Sequence, residues 1–133
     1  MPEYRLPIRV YIEDTDAGGI VYYVNYLKYF ERARTELIRS LGVDKTAVME
    51  DGSVFVVTSA AIDYRSPARL DDQLEAVAEV VNSGAATIEF RQSVVRSGIE
   101  LASGQVRVAL TDGTSGKPKR MPKGLRELLT HST

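Results

Sequence analysis

Only one stretch of this chain carries a long helical period, and most of the chain beyond it alternates. Tyr26, Phe30, Ala33, Leu37 and Leu41 recur at steps of four and three, with Leu27 and Ile38 widening the apolar stripe. The spacing predicts one long helix, capped by Asn25 and ended by Gly42. Its polar side carries Glu31, Arg32, Arg34, Glu36 and Arg39, with Glu31/Arg34 and Arg32/Glu36 spaced to pair. Parallel strands each need a crossover, usually helical, and this chain lacks the helices for them. Strands joined by tight turns must therefore pair as hairpins and lay one sheet face against that helix.

The strands are legible from their two-residue period. Tyr4 to Ile12 puts Leu6, Ile8, Val10 and Ile12 on one face, and Pro7 argues for an edge or early position. Ser53 to Arg65 is long and apolar on both faces, which predicts burial on both sides. Leu74 to Val81, Ala86 to Arg96 and Leu101 to Thr111 come next, joined by turns at Asn82–Ala85 and Ser97–Gly98. Ile88, Phe90, Gln92 and Val94 share one face of the fourth strand, and Ala102, Val106, Val108 and Leu110 one face of the fifth. Residues 43–52 read as irregular. Residues 112–123 form a Gly/Pro-rich basic tail, and Gly124 to His131 is compatible with a short helix. The expected class is α+β, with a five-stranded antiparallel sheet and one long helix, in one domain of 133 residues.

Composition removes several function classes. The chain has no cysteine, which excludes disulfides, thiolate metal sites and a cysteine nucleophile. Its one histidine, His131, lies near the end, a poor basis for a Ser-His-Asp triad or a histidine-rich metal site. No metal and no cofactor are expected. A net charge of -1 gives no electrostatic case for nucleic acid. The N-terminal residues do not read as a signal peptide, and no apolar run approaches the ~20 residues of a membrane span. The expected location is cytoplasmic.

The chemistry concentrates ahead of the helix. Glu13, Asp14 and Asp16 crowd three carboxylates before backbone N–H groups that a helix leaves unpaired at its start. On spacing alone Asp16 reads as a turn aspartate, Asp14 as a partner for turn amides, and Glu13 as solvated or paired with an arginine. Tyr22, Tyr23, Tyr26 and Tyr29 gather four aromatic rings at the helix start.

The order of these features, EDTDAGGIVYYVNYLKYFERAR over residues 13–34, resembles the hot-dog-fold acyl-CoA thioesterases. More narrowly it resembles their 4-hydroxybenzoyl-CoA thioesterase branch, and within it the bacterial subgroup associated with the Tol-Pal system. Residues 63–72 (DYRSPARLDD) and 116–122 (GKPKRMP) extend the likeness over nearly the whole chain. The resemblance implies a sheet wrapped around the helix. It further implies homodimers joined sheet edge to sheet edge, often paired into homotetramers, with an active site at the dimer interface.

Residue by residue, the resemblance implies that Asp16 is the catalytic carboxylate, as nucleophile or as general base on water, and that the Tyr23 N–H donates to the oxyanion. Gly19 and Tyr22 fall where substrate would be bound, with Tyr22 or Tyr23 lining the acyl pocket. Arg65, Arg69 or the Lys117, Lys119 and Arg120 tail would hold the CoA phosphates. Two departures stand out. Many members of the Tol-Pal-associated subgroup carry a histidine where this chain has Tyr23, and relatives often have a basic residue in the hairpin that here reads Asn82-Ser-Gly-Ala-Ala86. Another hot-dog branch places its carboxylate on the helix, which makes Glu31 a candidate beside its plainer pairing with Arg34. The implied activity is metal-free hydrolysis of an acyl-CoA thioester in lipid metabolism. Alternatives are acyl-carrier-protein thioesters as substrate, enoyl-CoA hydration (against which the lone terminal histidine argues), and a non-catalytic acyl-CoA or partner-binding module in envelope or lipid metabolism.

Overall fold

The computed structural model describes residues 2–43 and 51–130. Strand β1 (Glu3–Arg9) leads through a 3-10 turn (Ile12–Asp14) and the acidic loop into helix α1 (Asn25–Ser40). Then come β2 (Ser53–Tyr64), β3 (Gln73–Ser83), β4 (Thr87–Arg96), β5 (Ile99–Asp112) and a short helix α2 (Lys123–Thr130). The five strands form one antiparallel sheet in the order β1-β3-β4-β5-β2. Consecutive hairpins make the centre, while the two strands nearest the N-terminus form the edges. The edge or early position expected of β1 from Pro7 is found, since β1 is an edge strand.

Helix α1 packs across β1, β3 and β4. Tyr26, Tyr29, Phe30, Ala33, Leu37 and Ile38 are buried against the inward rows Leu74, Ala76, Ala78 and Val80 of β3 and Ile88, Phe90 and Val94 of β4. Burying a side chain the size of Phe30 or Leu37 contributes roughly 1.5–3 kcal/mol, so tertiary contact, more than propensity, fixes this helix. Helix α2 adds Leu125 and Leu129 to the core and packs on β3. The fold thus has a second, shorter helix beside the long one, ending at Thr130; His131 lies outside the described residues, as does most of the 43–52 connection.

Four expectations are corrected. Strand β1 ends at Arg9, so Ile12 leaves the inward row and is exposed in the 3-10 turn. Asn25 lies inside the first turn of α1, after Val24 at the cap position, and its side chain reaches back to the acidic loop instead of capping. The pairs expected along α1 do not form: Glu36 pairs with Arg39, and Arg34 turns inward to Gln92. Strand β2 is an edge strand, and most of it is exposed in the single chain despite its apolar residues, with Val57 at 52%. Its outer edge has no neighbour among the described residues.

Candidate active site

The loop between β1 and α1 is locked by its own backbone. Asp14 N–H donates to the Tyr11 carbonyl (3.0 Å), and the Asp14 carboxylate accepts from the Tyr11 N–H (2.9 Å). The Asp14 carbonyl accepts twice, from the Tyr22 N–H (3.0 Å) and from Asn25 Nδ2 (2.8 Å). Asp14 is therefore a hub that ties the loop to the first turn of the helix. Tyr29, one turn further on, is fully buried, and its hydroxyl finds no hydrogen-bond partner in good geometry among the described residues. Burial, reinforced by the nearby Asp14 charge, pushes the Tyr29 phenol far above its usual range.

Asp16 sits two residues beyond the hub in a tight turn. Its N–H donates to the Ile20 carbonyl (3.0 Å), and its carbonyl accepts from Gly19 N–H (3.1 Å). Gly19 has φ of +76°, a conformation that a side chain strains. Asp16 Oδ1 accepts from the Gly18 N–H (2.9 Å), and Oδ2 has no donor among the described residues. The carboxylate is exposed, with one oxygen oriented by the turn and the other available. Both descriptions of Asp16 hold at once: it is a turn aspartate, and it presents a free oxygen to solvent.

The helix start supplies the complementary donors. Asn25 and Tyr26 N–H groups are taken by the carbonyls of Tyr22 and Tyr23, whereas the Tyr23 N–H donates to no described residue. The Tyr23 amide lies one residue ahead of the Val24 cap, before the positive end of the helix dipole, a place that suits a developing negative charge. An aromatic cluster steadies this corner. Tyr64, the last residue of β2, donates its hydroxyl to the Tyr23 carbonyl (3.1 Å) and meets the rings of Tyr23 and Tyr26 edge-on at 6.0 and 5.3 Å. Tyr22 and Tyr23 stay half exposed, while Tyr26 is buried and its hydroxyl accepts from the Ala68 N–H (2.9 Å).

The loop after β2 closes on the same turn. Val21 N–H donates to Ala68 O, Leu70 N–H donates to Gly19 O, and Ile20 and Arg69 form an isolated antiparallel bridge. Asp72 accepts from the Arg69 N–H (2.9 Å) and from Arg96 (2.6 Å), which anchors the loop to β4. Gly19 thus bonds Asp16 directly, Arg69 bridges to Ile20 of the same turn, Tyr22 is tied to Asp14 and Tyr23 to Tyr64, and Arg65 lies just before the loop. Arg65 is exposed and paired with Glu100 (2.8 Å).

Lys117, Lys119 and Arg120 lie elsewhere in the single chain. Thr111 pairs with Pro118, Lys119 N–H donates to Leu110 O, and Lys119 Nζ pairs with Asp51 (2.9 Å). Because β5 runs antiparallel to β2, this tail sits at the Ser53 end of β2, and the Asp16 turn at its Tyr64 end. Among the described residues, no group of three carboxylates or imidazoles converges as a metal site would require, and no helix is long and apolar enough to cross a membrane.

One further polar pair escapes sequence reasoning. Arg34 falls four residues after Phe30 and four before Ile38, and Gln92 lies in an inward row of β4. The spacing from Phe30 and Ile38 is the signal that could have moved Arg34 from the polar side of the helix toward the sheet. Arg34 Nη1 donates to Gln92 Oε1 (2.9 Å), and Gln92 Nε2 donates to the Phe30 carbonyl (2.9 Å).

Residues 10–129 match the thioesterase-like superfamily. This chain belongs to that superfamily. The acyl-CoA thioesterase YbgC of Haemophilus influenzae is 43% identical over 129 residues, covering 96% of this chain and 95% of the relative. The acyl-CoA thioester hydrolase YbgC of Escherichia coli is 39% identical, covering 92% of each. Among solved structures, a protein from Bartonella henselae described as a probable thioesterase superposes with a TM-score of 0.85 at 31% identity, covering 90% of this chain and 99% of that one. The five-stranded antiparallel sheet around α1 is the hot-dog arrangement of this superfamily.

Proposed function

We propose that this thioesterase-like protein hydrolyses the thioester of an acyl-CoA, with Asp16 as the reacting carboxylate and the Tyr23 N–H as the oxyanion donor. One observation carries the assignment of roles: a carboxylate with one free oxygen and an unpaired helix-start amide are held at one corner by shared bonds through Asp14. The relatives' names support the reaction class, and the residues at 13–34 support the 4-hydroxybenzoyl-CoA thioesterase branch and its Tol-Pal-associated subgroup.

Two routes use this geometry. Asp16 can attack the carbonyl carbon, expel the CoA thiolate and form a mixed anhydride that water then opens. Alternatively it can take a proton from water, whose hydroxide attacks while the thiolate leaves and is protonated. In both, the negative charge on the former carbonyl oxygen faces the helix start. A single turnover in ¹⁸O-labelled water separates them, because only the anhydride route can leave label on Asp16.

The site is open in one chain, and the exposed apolar edge of β2 supports its completion by a second copy paired along that edge. Arg69 and Arg65, in the loop that closes on the turn, are our candidates for the CoA phosphates; antiparallel pairing of two β2 edges would bring the Lys117–Arg120 tail of one copy toward the turn of the other. An acyl-carrier-protein donor is the second reading, favoured by the exposed cations Lys117, Arg120 and Lys123 that an acidic carrier would meet. The test is thiol release from short, long and aromatic acyl-CoAs by wild type and Asp16→Asn. Asn preserves the Oδ1 acceptor for Gly18, so the variant is expected to fold normally and lose about 10²–10⁴-fold in kcat. An unchanged kcat/KM removes Asp16 from the mechanism.

A further inference from the structure

A cleft of about 100 Å³ opens between the middle of α1 and the sheet, lined by Glu31, Arg34, Thr35, Phe55, Val57 and Phe90 among others. Its walls are mixed: Ile38, Phe55, Val57, Ile88, Phe90 and Val108 supply apolar surface, and Glu31, Arg34 and Thr35 the polar remainder. Neither Asp16 nor Tyr23 lines it. Arg34 is half-buried, and among the described residues no carboxylate comes within ion-pair distance of it. Its one side-chain partner is neutral: Gln92, fully buried and oriented by the Phe30 carbonyl, so that the amide oxygen is fixed toward Arg34.

A half-buried guanidinium without a counter-charge is costly, because a neutral acceptor answers only part of its lost hydration. Burial lowers its hold on the proton, and Glu31 at the rim opposes that from beyond ion-pair distance. A guanidinium offers several N–H donors in a planar fork, of which Gln92 takes one. The remaining donors, beside the apolar side chains of Ile38, Phe55, Val57 and Phe90, match one ligand chemistry: a carboxylate carried on an apolar body.

We infer that the Arg34 cleft is a binding subsite for the carboxylate of a small apolar acid, with Gln92 positioning the guanidinium and Glu31 weakening the site by repulsion. Thioester hydrolysis releases such an acid, and an acyl group with a terminal carboxylate carries the same chemistry. The inference deepens the proposed function and rests on it for the source of the ligand, though not for the binding itself.

The experiment has two arms on the full chain. In the first, benzoate and hexanoate are titrated by calorimetry against benzamide and hexanamide. Wild type is expected to prefer the carboxylates by roughly tenfold or more, the scale of one charge-assisted hydrogen bond. Arg34→Gln is expected to erase that preference and Glu31→Gln to increase it, an opposition that a merely structural role for the two residues would not produce. In the second arm, turnover of adipoyl-CoA is compared with that of hexanoyl-CoA in the same proteins. An Arg34-dependent preference in both arms assigns the cleft to the acyl terminus; one confined to the first assigns it to the released acid. Carboxylates binding wild type no better than amides, with no Arg34-dependent preference in turnover, overturns the inference. So does a preference that survives in Arg34→Gln. Should that variant fail to fold, Arg34→Lys, which keeps the charge and loses the fork, is expected to weaken the preference. Carboxylate binding without thiol release from any acyl-CoA would remove the hydrolase reading and leave the subsite standing.

Discussion

The side-chain amide of Asn25 donates to the carbonyl oxygen of Asp14 at 2.8 Å, joining the first residue of α1 to the acidic loop eleven residues upstream. Asn25 is buried, so neither group has water as an easy substitute. Asn25→Ala is expected to cost about 1–2 kcal/mol of stability and to lower kcat more than it changes KM, since the turn that aims Asp16 loses a strut. Asn25→Asp is expected to be worse than Ala, because it sets an acceptor against an acceptor. Denaturant titration and steady-state kinetics on the two variants check the order.

Tyr26 provides a second strut. Its buried hydroxyl accepts from the Ala68 N–H at 2.9 Å. Tyr26→Phe keeps the ring and strands that N–H, an expected loss of roughly 1–3 kcal/mol. Chemical denaturation measures it, and amide exchange at Ala68 should accelerate with it.

Strand β2 tests the assembly. Lysine on an exposed edge blocks strand addition, so Val56→Lys is expected to reduce the mass seen by light scattering to that of a single chain. Turnover should fall with it while far-ultraviolet circular dichroism stays unchanged. A variant that remains associated and active would show that copies do not join along this edge.

Asp72 sets a pH dependence. Burial pushes its carboxyl up, but the Arg69 N–H, the Arg96 hydrogen bond and the charges of Arg96 and Arg69 outweigh it and hold the pKa below the ordinary aspartate value. A folded pKa below the unfolded one means stabilisation present above about 3.9, the unfolded value, and lost as pH falls through the folded one. Asp72→Asn is therefore expected to be less stable than wild type near neutrality. The two should converge as pH falls through the folded pKa of Asp72, as denaturant midpoints at several acid pH values would show.

The helix is legible in the sequence because its apolar residues keep one period, and the strands because theirs keep another. Asp16 is legible as a turn aspartate from the glycines that follow it, whereas its candidacy as the reacting carboxylate comes from the family resemblance alone. The features that escape depend on tertiary partners. Two apolar faces on β2 signify a central strand or an edge meant to be covered, and nothing local separates these. Asn25 carries the residue type of a cap, yet its partner is decided by how the loop folds back. The separation of the Lys117–Arg120 tail from the Asp16 turn comes from β5 running antiparallel to β2, a register that the tail itself does not encode.

The strand order has a kinetic corollary. Strands β3, β4 and β5 meet through short turns, whereas β1 must find β3 from Glu3 to Glu79 and β2 must find β5 from Ser53 to Asp112. Closing such long loops is slow compared with zipping adjacent hairpins. The corner that holds Asp16 hangs between those two late arrivals, from the end of β1 to the loop that leaves β2. Topology thus predicts that the corner holding Asp16 is the last part of the molecule to be assembled and the first exposed when an edge lets go.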